Sequence, residues 1–349
     1  MKIGKRTIGL DNPPFVIAEM SGNHNGSLQK ALEIVDAAAW AGADAIKIQT
    51  YTPDTMTLPL KTGPFRIRNP KSPWHGRSLY ELYREAHTPW KWHEPILSLA
   101  KKHKMICFST VFDESSVDFL SDLGAVAFKI ASFENNDLPL IRRTAEMGRP
   151  MLISTGLASL SEITAAVRTA KNAGCDSLAL LKCTSNYPAS PKSSNLRTIP
   201  DLRNRFGCEV GLSDHTLGTT VSLAAISCGA TLVEKHLTLN RKNRGVDSLF
   251  SLEPIEMRQL IQEIKTVWSA LGKPVYGPST EEIPSLQFRR SLFVVKDIRK
   301  GETFTRENVR SVRPGAGLSP KFLEKILGKR ARKNICAGEP MRHALVNRK

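Results

Sequence analysis

No two cysteines in this 349-residue chain stand at the CxxC spacing of a zinc ribbon or a dithiol redox motif. The six that occur, Cys107, Cys175, Cys183, Cys208, Cys228 and Cys336, are scattered, and several fall inside apolar runs, where reduced thiols pack as small hydrophobes. Cys183 follows an apolar run in LKCTSNYP and is the one with a claim to line a site, although packing is its simpler role. Long apolar stretches are missing as well. None approaches the ~20 residues of a membrane helix, and the opening MKIGKRTIGLDNPP lacks the apolar core of a signal peptide. These absences argue against a disulfide scaffold and a membrane protein, and they lead us to expect a cytoplasmic chain.

Acidic residues are scarce in one region only. Residues 289–349 carry 17 Lys or Arg against 5 Asp or Glu, which supplies most of the formal charge of +17. Such a basic segment raises nucleic-acid binding as a distant alternative. It has no zinc-finger spacing and no RNA-recognition signature, and before Phe322 it offers only Phe293 and Phe304 for stacking on bases. We expect no nucleic-acid partner, and a solvated surface with one or two phosphate-directed arginines.

A hydrophobic content of 41% over this length supports a large core. From residue 15 to about 270, short apolar runs alternate with amphipathic stretches, the pattern of repeated strand-helix units. Eight strands are predicted: Phe15–Glu19, Ala45–Gln49, Met105–Ser109, Ala127–Ile130, Met151–Ser154, Leu178–Lys182, Glu209–Leu212 and Leu232–Lys235. Eight is the number that closes a TIM (β/α)8 barrel. Between them, Ser27–Ala41 reads as a helix ended by Gly42, and Leu157–Gly174 as one capped by Ser161. Residues 50–89 form an unusually long connection, rich in Trp74, Tyr80, Tyr83 and, just beyond, Trp90 and Trp92, either an active-site excursion or a satellite core. At residues 271–285, LGKPVYGPSTEEIPS breaks the helical pattern. The expected organisation is an α/β barrel over residues 1–275, a linker over 276–288 and a small β-rich domain over 289–349.

The ends of the eight strands are polar beyond what packing requires. They carry Glu19, Lys47 with Gln49, Ser109 with Thr110, Lys129 with Ser132 and Glu134, Ser154, Thr184 with Ser185, Ser213 with His215, and Glu234 with His236. A barrel gathers such residues on one face. Lysines and hydroxyls suit an anion with several oxygens, two imidazoles suit a divalent metal, and the carboxylates suit proton transfer. For Glu19 the competing reading is an ion pair with a barrel lysine.

The motifs NHNG (23–26), KIQT (47–50), FKIAS (128–132), STG (154–156), CTSNYP (183–188), GLSDHT (211–216), EKH (234–236) and SLEP (251–254) resemble the sialic acid synthase family in this order. The segments KDIRKGE (296–302) and VRPGAG (312–317) are similar to that family's antifreeze-like (SAF) module. The resemblance spans nearly the whole chain. It implies a transferase that condenses phosphoenolpyruvate with an N-acylated amino sugar, releasing phosphate and a nine-carbon 2-keto acid. AEMSGNHN (18–25), SLYELYREAHTPWKWH (78–93), KIASFE (129–134) and GVDSLFSLEP (245–254) resemble the branch that takes 2,4-diacetamido-2,4,6-trideoxy-L-altrose. The branches taking the neuraminate or legionaminate precursor remain alternatives.

By the same resemblance, His215 and His236 hold the metal, manganese or magnesium. Lys129, Ser132, Ser154 and Ser213 hold phosphoenolpyruvate, joined by Lys47, Gln49, Thr110, Ser185 and Arg290. Ser185 stands where neuraminate enzymes carry asparagine. Glu19 and Glu134 are the acid/base candidates, and Glu134, Tyr187, Asp247 and Arg313 match sugar-contacting positions. Arg313 would come from the module of a partner subunit in a domain-exchanged homodimer. Asn25 replaces a glutamate common in neuraminate synthases and Phe133 a small residue, changes expected to favour a 6-deoxy sugar because an aromatic ring suits a methyl group better than a hydroxyl.

Overall fold

The computed structural model describes residues 1–347 apart from Lys71 and Arg244. Eight parallel strands close into a barrel: β1 (Phe15–Glu19), β2 (Ala45–Thr50), β3 (Ile106–Val111), β4 (Phe128–Ile130), β5 (Met151–Ser154), β6 (Leu178–Cys183), β7 (Glu209–Asp214) and β8 (Leu232–His236). The expected barrel is therefore present, and β8 pairs with β1 to complete it. β7 and β8 run further than the sequence pattern indicates because polar Ser213, Asp214 and Lys235 stay in register across the two strands. His236 thus ends β8 instead of following it, while His215 follows β7.

Strand alternation builds the interior. Phe15, Ile17, Ala45, Phe108, Ala127, Leu152, Ala179, Leu181 and Leu232 form one buried cluster. Their neighbours Val16, Ala18, Ile46, Ile48, Phe128, Ile130 and Val233 belong to a second cluster shared with the surrounding helices. Each large apolar side chain buried this way contributes about 1.5–3 kcal/mol. Ile3 and Ile8, from the antiparallel pair Lys2–Ile3 and Arg6–Thr7 and its continuation, join the first cluster. At Gly211 the inward position has no room for a side chain, since a Cβ would overlap the Leu232 carbonyl oxygen.

Lys235 and Asp214, one residue out of step with the inward set, form a wholly buried ion pair at 2.9 Å, and Ser222 donates to the same carboxylate. The first helix, Leu28–Ala41, is capped by Ser27 and ended by Gly42 at φ 87°, as its sequence indicates. The helix Leu160–Asn172 differs from expectation: Ser159, not Ser161, caps it, because only Ser159 forms the reciprocal box with Glu162.

The aromatics of the long connection after β2 make several packing contacts. Trp92 packs in the core beside His24, Trp90 stacks on Phe119, and Tyr83 meets Tyr51. Trp74 instead donates from Nε1 to the carbonyl of Val246 at 3.0 Å, on the loop after β8.

Contacts divide the chain into two units, Met1–Gly272 and Lys273–Lys349. In the second, strands Ser291–Val294 and Val309–Val312 pair antiparallel over a core that includes Leu292, Phe304, Ile326, Ile335 and Met341. Single bridges such as Ile298 to Ile335 supply the rest of its β character. Among the described residues no helix is long and apolar enough to cross a membrane.

Candidate active site

The same alternation that fills the barrel with Phe15, Leu152 and Leu232 turns polar one layer higher, where Glu19, Lys47, Thr110, Lys129, Ser154, Ser213 and Glu234 follow on the inward register. All seven are buried. Lys47 Nζ lies 2.5 Å from Glu19 Oε2 and donates to Thr110 Oγ1 at 2.7 Å. Lys129 Nζ donates to Ser154 Oγ at 2.7 Å. Glu19 is therefore ion-paired, as its competing reading held, and it also accepts from Gln49 Nε2 and from the Ser21 backbone.

Burial pulls the Lys129 ammonium below its usual range, against the attraction of Glu234. Burial acts on Lys47 too, but Glu19 and Glu234 outweigh it and raise that group. Two ammoniums and several hydroxyls at the bottom of a polar layer can bind a compact, oxygen-rich anion.

Ser132 lies next to this layer, its Oγ accepting from the Gly156 backbone N–H at 3.2 Å. Gly156 is what lets the hydroxyls gather, because a Cβ there would overlap Ser185 Oγ and stand 2.6 Å from Ser132 Oγ. Ser185 Oγ is also 3.8 Å from Cys183 Sγ.

The two histidines meet at the barrel mouth, ring centroids 5.3 Å apart. His215 Nδ1 faces the Thr184 carbonyl at 3.2 Å and Cys183 Sγ at 3.8 Å. Burial opposes charging His215, yet Cys183 outweighs it and raises its pKa. Burial, with His215 and the lysines, holds His236 well below the usual imidazole range, so its ring is neutral with a free lone pair. Its Nδ1 is buried without a hydrogen-bond partner, 4.0 Å from Asp247 Oδ2. An orphaned ring nitrogen of this kind costs ~1–3 kcal/mol, which a ligand would recover. Among the described residues no group of three His, Cys, Asp or Glu side chains is arranged to hold a metal ion. Two imidazoles alone suit a cation whose remaining positions are filled by water or substrate oxygens.

Aromatic rings wall the histidines. Tyr187 lies 4.5 Å from His215 between centroids, Phe250 4.9 Å from His236, and Trp74 reaches Tyr187 at 5.6 Å. Asp247 accepts a short hydrogen bond from Ser21, which sits at φ 47° immediately after Met20. Burial raises the Glu134 carboxyl to about 7, and one of its oxygens has no partner.

Asn25, at φ 49°, donates from Nδ2 to the Asn243 carbonyl at 3.4 Å. Phe133 is 59% exposed and belongs to none of the apolar clusters, so no described contact holds its ring against the histidine pair. Arg290 and Arg313 belong to the second unit, where Arg290 donates to the Ser311 carbonyl and Arg313 is exposed.

The sequence left three residues of this cluster without a role, although it placed Glu234 among the polar strand ends and gave Cys183 a claim to line a site. Glu234 touches both lysines, its carboxylate 3.8 Å from Lys47 Nζ and 3.7 Å from Lys129 Nζ, and it accepts from Ser213 at 3.1 Å. Ser21 links Gln49 to Asp247. Cys183 faces inward. Burial raises its thiol, but His215, Ser132 and Lys129 outweigh that and hold it at about 7. For Glu234 and Cys183 the signal was the two-residue period carried through EKH and LKC.

A closed parallel barrel that brings two lysines, a set of hydroxyls and a paired imidazole to one end defines a TIM-barrel enzyme. Residues 34–276 match the NeuB family and residues 289–346 the SAF domain. The chain belongs to the NeuB family. It is 42% identical to a pseudaminic acid synthase of Campylobacter jejuni over 98% of both chains. It is 38% identical to an N,N'-diacetyllegionaminic acid synthase of Legionella pneumophila, covering 93% of this chain and 92% of that one. The solved structure of an N-acetylneuraminic acid synthetase from Leptospira borgpetersenii, in complex with citrate, superposes with a TM-score of 0.72 at 31% identity over 83% of this chain and 95% of that one.

Proposed function

We propose that the protein is a pseudaminic acid synthase, condensing phosphoenolpyruvate with 2,4-diacetamido-2,4,6-trideoxy-L-altrose to give pseudaminic acid and phosphate. The observation that carries the reaction class is the pairing of an anion layer, Lys47, Lys129, Ser154 and Ser213, with two buried imidazoles at the same barrel end. The full-length likeness to pseudaminic acid synthases supports the choice of sugar.

In this reading Lys47, Lys129, Thr110, Ser132, Ser154, Ser185 and Ser213 bind the phosphate and carboxylate of phosphoenolpyruvate and hold its C3 toward the mouth. Gln49 orients Glu19 by its hydrogen bond. His215 and His236 would hold a divalent cation, manganese or magnesium, which when bound supplies Lewis acidity toward the aldehyde of the open-chain sugar. Tyr187, Asp247, Glu134 and Asn25 face the sugar, Arg313 reaches it from a partner's SAF domain in a domain-exchanged homodimer, and Arg290 is a further phosphate ligand from the domain junction. A bond forms from C3 to the aldehyde carbon, water adds at C2, and the bond from C2 to the bridging oxygen breaks to release phosphate. Glu134, its pKa near 7, can exchange a proton at the sugar oxygen at neutral pH, and Glu19 orients the water. The basic SAF surface and a phosphoenolpyruvate-dependent reaction accord with a cytoplasmic enzyme that draws in anions.

The test compares phosphate release with phosphoenolpyruvate, manganese and each of three sugars: the altrose derivative, N-acetylmannosamine and the legionaminate precursor. The altrose derivative is expected to give the highest kcat/KM. A clear preference for either other sugar would refute the substrate assignment, and no release with any of them would refute the reaction class.

A further inference from the structure

An anion site with a carboxylate buried inside it is electrostatically odd. Glu234 reaches from β8 to two lysines on β2 and β4, and it meets neither at hydrogen-bonding distance: its oxygens stand 3.8 Å from Lys47 Nζ and 3.7 Å from Lys129 Nζ. Ser213 holds one oxygen at 3.1 Å, and the other, Oε2, is buried with no hydrogen bond. Each ammonium spends a hydrogen on a neutral hydroxyl, Thr110 or Ser154, and Lys47 spends another on Glu19. Glu234 therefore offsets charge on both lysines without capping them, in addition to the direct Glu19 pair on Lys47. Their remaining N–H groups stay available to an incoming anion, while the charge that would hold that anion is partly cancelled.

We propose that Glu234 is a positioning residue that limits how tightly the lysine pair holds phosphate, so that inorganic phosphate leaves after turnover and the lysines keep their aim. The proposal rests on the reading of this layer as the phosphoenolpyruvate site. A carboxylate that merely braced the fold would leave a weaker and less ordered anion site when altered. A carboxylate that tempers the lysines leaves a tighter one.

The experiment measures inorganic phosphate binding by calorimetry on the manganese-loaded full chain, together with phosphoenolpyruvate KM and kcat, for wild type, Glu234→Gln and Glu234→Asp. Glu234→Gln keeps the shape and the Ser213 contact but removes the charge. It is expected to bind phosphate on the order of tenfold more tightly, to lower the phosphoenolpyruvate KM, and to lose kcat as product release slows. Glu234→Asp keeps the charge on a shorter arm that no longer reaches both lysines, and is expected to fall between. Phosphate binding that is unchanged or weaker in Glu234→Gln, with KM raised, overturns the proposal. If the glutamine variant does not fold, the aspartate variant decides: no gain in phosphate affinity overturns the proposal equally. A wild-type protein that binds neither phosphate nor phosphoenolpyruvate overturns the site reading itself, and the proposal with it.

Discussion

Two glycines in the barrel should respond to the same methyl group in opposite ways. Gly156→Ala and Gly211→Ala both add a Cβ where none fits, and neither glycine has the positive φ that would strain alanine. At Gly211 the obstacle is rigid: the new carbon overlaps the Leu232 carbonyl oxygen and stands 2.7 Å from Leu232 Cβ and 2.8 Å from Leu181 Cδ2. Backbone and core must move, at a cost of about 1–3 kcal/mol or more, which lowers Tm by roughly 2 °C per kcal/mol in a domain of this size.

At Gly156 the obstacles are mainly hydroxyl tips, Ser185 Oγ and Ser132 Oγ, which can rotate away. Stability should then fall by only about 1 kcal/mol, for the Ser132 bond to the backbone. The anion layer loses two hydroxyls at about 1–1.5 kcal/mol each, a rise in phosphoenolpyruvate KM of roughly thirty- to 150-fold. Thermal unfolding and steady-state kinetics on both variants check this. A Gly156→Ala enzyme with wild-type KM would refute the assignment of Ser132 and Ser185 to the anion, and an unperturbed Tm for Gly211→Ala would refute the packing argument.

Stability should also fall in mild acid, because burial holds His24 and His93 at about 4 in the folded chain. Their neutral forms stabilise the fold above the unfolded value near 6.5, and that contribution drains away as pH drops toward 4, roughly 2 kcal/mol for each by pH 5; a denaturation midpoint flat between pH 7 and 5 would contradict it. The pH profile of kcat/KM should bend near 7 through Glu134 and lose that inflection in Glu134→Gln, so an unchanged profile removes Glu134 from the proton step. His215→Ala and His236→Ala should each abolish turnover and bound manganese, measured by elemental analysis, while leaving the circular dichroism spectrum unchanged; full metal content in either would exclude that ring as a ligand.

The barrel was legible because its strands are short apolar runs at regular spacing, and the lysines because alternation leaves only one inward choice in AIKIQT and FKI. Strand ends were less so. Ser213, Asp214 and His236 look like loop residues until Lys235 finds Asp214 across the sheet and keeps them in register. Ser159 and Ser161 present the same hydroxyl, and only the approach of Glu162 selects between them. Glu234 was visible as an inward carboxylate, but its reach across the barrel to both lysines depends on closure, which brings β8 opposite β4. Trp74 lies in a segment without periodicity, and its bond to Val246 crosses from the second strand's connection to the eighth's.

The condensation itself is tested most directly by phosphoenolpyruvate carrying oxygen-18 at the bridge between C2 and phosphorus. Water addition at C2 followed by loss of phosphate predicts that all of the bridging label appears in inorganic phosphate when the altrose derivative is present, and that none is released without the sugar. Label retained in the nine-carbon acid would mean that the phosphorus–oxygen bond breaks instead, and would contradict the account.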